Sequence, residues 1–165
     1  MQVFGDRIER TSCGAVLADL REGLARARGM APGLARHSQL ITLLIEAGRL
    51  AQGVADARMA AHGEDRPDAA TDAAMALVVG LARCCAASWG SGFERRTQLP
   101  FARLARCRNV LGDMPVALKT PEGYAFYALY PELYFDAARR RSALAAHWQV
   151  LGLRSIGTSL AAMVA

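Results

Sequence analysis

Apolar residues recur every three or four positions in three long stretches at the start of the chain, which is the spacing of amphipathic helices. The first stretch begins at Thr11 or Ser12, either of which can cap a helix, and it stops at Gly29. Its inward face is predicted to carry Val16, Leu17, Leu20 and Leu24. The pattern therefore predicts helix one between these positions.

The second stretch runs from about Leu34 to His62, and Gly63 and Pro67 lie in the polar segment that closes it. Several small residues on this helix indicate that another helix approaches closely. They are Ala47, Gly48, Ala51, Gly53 and Ala55. A polar row on the same helix either lines a site or, as is commoner, forms a solvated face. The row consists of Glu46, Arg49, Gln52 and Asp56.

The third stretch follows Pro67, with Asp68 or Thr71 as the cap, and ends near the WGSG at 89–92. Its predicted inward residues are Met75, Val78, Val79, Ala82 and Cys85. A helical bundle is therefore expected to fill the first half of the chain.

Residues 101–112, FARLARCRNVLG, predict a short fourth helix, and the following MPVALKTPEGYAFYALYPE predicts a β-hairpin. Val116 and Leu118 alternate on one side of the first strand, and residues 121–123 suit a tight turn. Residues 124–129 are aromatic or apolar on both faces, which favours a second strand that is covered on both sides.

Pro131 begins a further helix, and a short buried-type strand is predicted at 148–153. The order strand, helix, strand is typical of a parallel sheet, which needs more strands than this chain supplies. We therefore expect a mainly α fold with a small α/β part: an N-terminal helical bundle, then the hairpin and an incomplete strand–helix–strand segment. The corresponding domains are 1–112 and 113–165.

Composition narrows the class of protein. Apolar residues make up 53% of the chain, no apolar run reaches the ~18 residues of a membrane span, and the N-terminus is charged where a signal peptide is apolar. We therefore predict a cytoplasmic protein without a membrane partner. The four cysteines have no CxxC spacing and the three histidines are scattered, so reduced thiols and no metal site are expected.

Positive charge is concentrated in one part of the chain. The net charge is +5, with nineteen arginines and one lysine, and the excess lies in residues 83–108. A stripe of arginines there is a candidate polyanion site. Its members are Arg95, Arg96, Arg103 and Arg106. Because aromatic residues are not interleaved with it, a solvated face is favoured and nucleic acid is not expected as a partner.

The segment GLRSIGTSL at 152–160 is predicted to lie between a strand and a helix, where backbone N–H groups and the helix dipole attract an anion. Gly157 permits close approach of a ligand, Ser155 and Thr158 add hydroxyl donors, and Arg154 adds a cation. The alternative is an ordinary turn in which Thr158 or Ser159 caps the helix. Such a helix exposes apolar residues unless the terminus packs back on the chain.

The stretch PEGYAFYALYPELYFDAARR followed by VLGLRSIGTSLAAMVA resembles the start of bacterial phosphoribosyltransferase-like proteins, in which a helical leader precedes a type I phosphoribosyltransferase domain. LLIEAGRLAQGVADARMA is similar to part of that leader, and the matched stretches cover about half the chain. The resemblance implies a loop that contacts the pyrophosphate of phosphoribosyl pyrophosphate together with Mg²⁺. Its residues would be Arg154, Ser155, Ile156, Gly157, Thr158 and Ser159.

The chain also departs from that family. The family's paired acids after a buried strand are missing, since the only adjacent acid pair, Glu64–Asp65, lies in a polar loop. We therefore expect an N-terminal portion that is not catalytically complete alone, with no assignable catalytic residue, no cofactor in this chain and a phosphorylated small molecule as possible ligand. It is a transferase only if the protein continues past residue 165. The alternative is a helical protein-interaction or oligomerisation module.

Overall fold

The computed structural model describes residues 8–141, 147–153 and 156–165. This part of the chain is mainly helical with one small two-stranded antiparallel sheet, which confirms the predicted fold class. The described elements are, in chain order, β1 (Ile8–Ser12), α1 (Cys13–Gly29), α2 (Leu34–His62), α3 (Ala69–Gly90), α4 (Phe101–Leu111), β2 (Pro115–Lys119), α5 (Glu122–Phe126), α6 (Pro131–Arg141) and α7 (Ile156–Val164).

Helices α1 and α3 begin where the sequence predicts them because polar side chains cap them. The hydroxyl of Ser12 accepts a hydrogen bond from the Ala15 amide at 3.2 Å. At the start of α3, Asp68 and Thr71 form a reciprocal capping box. Gly63 ends α2 with φ of +74°, a left-handed conformation that glycine adopts without strain.

Helix α2 is the centre of the molecule, since it packs against α1, α3, α7 and β2. The small residues predicted on it do allow close approach. A β-carbon added at Gly53 would lie 2.9 Å from Leu118 Cδ2, and one at Gly48 would lie 2.9 Å from Ser159 Cβ. The core is built from the predicted leucine faces of α1 and α2 together with α3.

Hydrogen bonds from the polar row of α2 hold the small sheet against the helical bundle. Arg49 donates to the carbonyl oxygen of Lys119 at 3.2 Å and to Glu9 at 3.0 Å. The ammonium of Lys119 donates to Asp56 at 3.1 Å. These bonds give the row a structural role in holding β1 and β2.

Helix α3 is long and apolar enough to cross a membrane by length and composition, with a mean hydropathy of 1.5 over 18 residues. In this fold 56% of that window is buried. It contacts α2, α4, α6 and α7, as the core helix of a bundle does.

The predicted β-hairpin is wrong in its second strand. β2 forms as expected, with Val116 and Leu118 buried on one side, but its partner is β1 and the pairing is antiparallel, Ile8 opposite Lys119. Residues 124–129 instead contain the end of α5 and a turn in which Ala128 has φ of +49°. The strand partner of β2 is therefore a segment more than a hundred positions earlier in the chain.

The predicted strand at 148–153 is also wrong, and with it the strand–helix–strand order. Residues 147–153 have no regular secondary structure, and Leu151 and Leu153 are 85% and 89% exposed. A buried parallel strand needs neighbours on both edges, and no described strand lies beside this segment.

The last helix packs back on the chain. α7 lies against α2, α3 and α6, and Leu160 and Met163 are only 7% and 4% exposed. The short helix is therefore stabilised by tertiary contacts, as a helix of this length requires. The division into domains at residue 112 stays a prediction.

Candidate functional site

The predicted anion loop falls at the start of α7. Ile156, Gly157, Thr158 and Ser159 form its first turn, whereas Arg154 and Ser155 lie outside the described residues. No strand precedes this turn in 147–153, so the strand–loop–helix geometry on which the prediction depends is not formed there.

Ser159 is buried, and its hydroxyl is already hydrogen-bonded within the protein. It is 2% exposed, its hydroxyl donates to the Ile156 carbonyl oxygen at 3.1 Å, and the Tyr124 hydroxyl lies 2.7 Å away. Burial raises the pKa of Tyr124 to about 12, so this phenol stays protonated at neutral pH. The anion-binding role of the loop stays a prediction, and Ser159 is not a free donor for it.

A different cationic site is formed by residues that are far apart in sequence. A cavity of about 820 Å³ opens between the end of α1, the first turn of α2 and the segment that leads into α4. We call it the arginine cleft. Its cationic residues are Arg28, Arg36, Arg96 and Arg103, and the rest of its lining is Thr97, Gln98, Leu99, Pro100, Phe101 and Ala102. No acidic side chain lines it.

Arg36 is the deepest cation of the cleft. The residue is 3% exposed, and its Nε donates to the Ala27 carbonyl oxygen at 3.1 Å. Within the described residues this is its only hydrogen bond, and no carboxylate pairs with it. The two terminal nitrogens of a guanidinium carry four N–H donors. Those of Arg36 donate to no protein group among the described residues, and Arg36 lines the cleft.

The other three arginines lie at the exposed rim. Arg96 is oriented by a hydrogen bond of 2.7 Å from its Nη2 to the Met30 carbonyl oxygen. Arg28 is stacked over the ring of Phe101, with its Cζ 5.3 Å from the centroid. These contacts hold the side chains in place but neutralise no charge, because in the described part of the chain neither residue has an acid within ion-pair distance.

Thr97 and Cys84 lie behind the rim. The Thr97 hydroxyl is buried and has no partner of normal hydrogen-bond geometry among the described residues. Burial raises the pKa of the Cys84 thiol, and the neighbouring Thr97 hydroxyl, Arg36 and Arg103 offset only part of that effect. Cys85 is buried and its pKa is raised well above normal by burial. The vicinal thiols are therefore protonated, and neither is an activated nucleophile.

A buried polar pair lies one residue beyond Arg36. His37 Nε2 and Glu132 Oε1 are 2.9 Å apart and link α2 to α6. The rings of Trp89 and Phe93 close over the histidine, with centroids 6.0 and 4.9 Å from it. Trp89 in turn donates from Nε1 to Asp136 at 3.1 Å. This cluster fixes α6 on the bundle next to the cleft.

Sequence reasoning found half of the cationic residues. The predicted arginine stripe contains Arg96 and Arg103, but Arg95 and Arg106 do not line the cleft. Arg36 was missed although a signal was present, because it stands four positions before Leu40 and so falls on the predicted inward face of α2. Nothing in the sequence indicates that the end of α1 meets the start of α4.

Comparison with known proteins gives no identification: no protein-family model, no curated protein and no solved structure matches this chain.

Proposed function

We propose that this chain is a helical binding module that holds a small anionic molecule, with phosphate or carboxylate groups, in the arginine cleft. The observation that carries the proposal is Arg36. It is a nearly buried cation with unused N–H donors and no acidic partner among the described residues.

The energetics of buried charge support this proposal. A charged group taken out of water without a counter-ion is costly, and proteins normally pair such groups or use them. Guanidinium presents its donors in a planar fork that fits phosphate and carboxylate oxygens two at a time. An anion in the cleft would pair with Arg36 and would also face Arg96 and Arg103 at the rim.

A recessed cluster favours a small molecule over nucleic acid. A nucleic-acid surface is expected to follow a phosphate backbone along an exposed stripe. Here Arg36 is sunk between α1 and α4, and Arg95 and Arg106, the outer members of the predicted stripe, are not part of the lining.

The phosphoribosyltransferase hypothesis stays a prediction that is separate from the cleft. Its loop, residues 154–159, belongs to another part of the chain, and phosphoribosyl pyrophosphate with Mg²⁺ is its proper probe. Micromolar binding that disappears on replacing Thr158 but not Arg103 would favour that loop as the site. The reverse pattern would favour the cleft.

The alternative of an oligomerisation module also stays a prediction. It is favoured by exposed apolar side chains in the α5–α6 region and after it. They are Tyr127, Tyr130, Leu133, Trp148, Leu151 and Leu153. A second copy covering this surface predicts a concentration-dependent mass in sedimentation velocity, and a monomer at every concentration would contradict it.

Anion binding is tested by titration calorimetry with inorganic pyrophosphate and with citrate at physiological ionic strength. Arg103→Gln is expected to weaken binding about tenfold, the size of one lost charge-assisted hydrogen bond. Arg106→Gln, on the same exposed side of α4, removes the same charge outside the cleft and is the matched control. Because Arg106 does not line the cleft, this control should bind more tightly than Arg103→Gln and close to the wild type.

Two results would contradict the proposal. One is the absence of binding for every anion at millimolar concentration. The other is an equal loss of anion affinity in Arg103→Gln and Arg106→Gln. That result would show that binding depends on the overall charge of the protein and not on the cleft.

A further inference from the structure

The arginine cleft has two chemically different walls. One is cationic, with Arg36 at depth and Arg28, Arg96 and Arg103 at the rim. The other is the continuous segment 99–102, Leu-Pro-Phe-Ala, which offers only apolar side chains to the cavity. A ligand that satisfies both walls has an anionic part and an apolar or aromatic part.

The arginines of the cationic wall lie at two depths. Arg36 is 3% exposed, whereas the three rim arginines are exposed. A single phosphate paired with Arg36 would occupy the deeper position. Two linked anionic groups use both levels, one at Arg36 and the next at Arg96 and Arg103.

The size of the cavity leaves room for more than an inorganic ion. A volume of about 820 Å³ lies in the range that encloses drug-sized organic ligands. The ring of Phe101 forms part of the apolar wall and is itself held by Arg28, so this wall is a fixed surface for an organic group to contact.

On this basis we propose that the ligand is an organic diphosphate ester. Its terminal phosphate would pair with Arg36, its inner phosphate with the rim arginines, and its organic group would lie on the Leu99–Ala102 wall. The inference rests on the proposed anion-binding function and specifies its ligand class. A nucleoside diphosphate and an isoprenoid diphosphate share this chemistry.

The first experiment compares four probes by calorimetry on the full chain: inorganic phosphate, inorganic pyrophosphate, ADP and geranyl diphosphate. Pyrophosphate is expected to bind at least tenfold more tightly than phosphate, since it adds a charge-assisted contact. At least one ester is expected to exceed pyrophosphate by a further tenfold through the apolar wall. Preference between the two esters identifies whether a planar ring or an aliphatic chain is the organic group.

The second experiment separates the two phosphate positions. Arg96→Gln is expected to remove most of the advantage of pyrophosphate over phosphate while leaving phosphate binding nearly unchanged. Arg95→Gln is the matched control, because this exposed neighbour is not part of the cleft lining. Circular dichroism and thermal melting check that both variants stay folded.

The possible failures are distinguishable. If no probe binds, the proposed function itself fails. If phosphate binds as tightly as pyrophosphate, or Arg95→Gln acts like Arg96→Gln, the two-phosphate assignment is overturned while anion binding stands. If neither ester binds more tightly than pyrophosphate, the role of the apolar wall is overturned.

Discussion

Gly53 decides how closely α2 meets the small sheet. A β-carbon there would lie 2.9 Å from Leu118 Cδ2 and 3.2 Å from the carbonyl oxygen of Ala117, closer than such atoms normally approach. Leu118 is 2% exposed and has little room to move. The helix and the sheet would therefore have to separate to admit any side chain.

We expect Gly53→Ala to lower the free energy of unfolding by about 1 kcal/mol. Overpacking costs about 1–3 kcal/mol, and the better helix propensity of alanine returns up to about 1 kcal/mol. Urea denaturation measures the change. Gly90→Ala is the control, because a β-carbon at Gly90 meets nothing within 4 Å, and it should leave stability unchanged or raise it.

The His37–Glu132 pair gives stability a defined dependence on pH. Burial alone would raise the pKa of the Glu132 carboxyl, but hydrogen bonds from His37 and from the backbone outweigh it and lower the pKa below its ordinary 4.5. The folded state thus binds this proton less readily than the unfolded state does. The stabilisation is present above about pH 4.5 and is lost as the pH falls through the lowered value.

Glu132→Gln is accordingly expected to destabilise the protein by about 1–3 kcal/mol at pH 7, because a charge-assisted bond in a buried setting is lost. The difference from the wild type should shrink as the pH falls towards 3. Denaturant unfolding at several pH values measures it. A difference that stays constant from pH 7 to pH 3 would show that the carboxylate charge is not what stabilises the contact.

At the scale of elements, Ser12 joins a strand to a helix. Its hydroxyl caps α1 by accepting from Ala15 and donates to Asp113 Oδ1 at 2.7 Å, just before β2. One side chain thus joins the end of β1 to the segment that leads into β2. A cap alone is worth about 1 kcal/mol.

We expect Ser12→Ala to lower the free energy of unfolding by at least about 1 kcal/mol. Ser38→Ala is a matched control, since Ser38 is exposed in the second turn of α2, and alanine is the better helix former there. Chemical denaturation of the two variants compares them. Equal stability of both would mean that the cap and the Asp113 contact contribute nothing.

The elements also show why helices were predictable and strands were not. The limits of α1, α2 and α3 follow from spacing and caps that lie within each segment. The partner of β2 depends on a contact more than a hundred residues away, and IERTS at 8–12 is too short and polar to identify itself as a strand. The apolar run at 124–129 had the composition of a strand, but its first residues belong to α5 and the run does not pair with β2.

At the scale of the molecule, the candidate site was also predictable only where its residues are close in sequence. Arg96 and Arg103 were found because they are close in sequence. Arg28 and Arg36 join them only because α1 and α2 bring their connected ends against the start of α4. Charge composition therefore indicated a cationic surface, and only the packing of three helices makes it a recess with a buried arginine.

The pairing of β1 with β2 has a consequence for how the protein is made. Translation starts at the N-terminus, so Ile8–Ser12 leaves the ribosome long before Pro115–Lys119 exists. Helices α1 to α4 carry mostly local contacts and can form during that interval. The strand that is synthesised first is therefore among the last segments to reach its partner, and we expect slowed elongation between residues 13 and 115 to leave its backbone open to capture by chaperones or by other nascent chains.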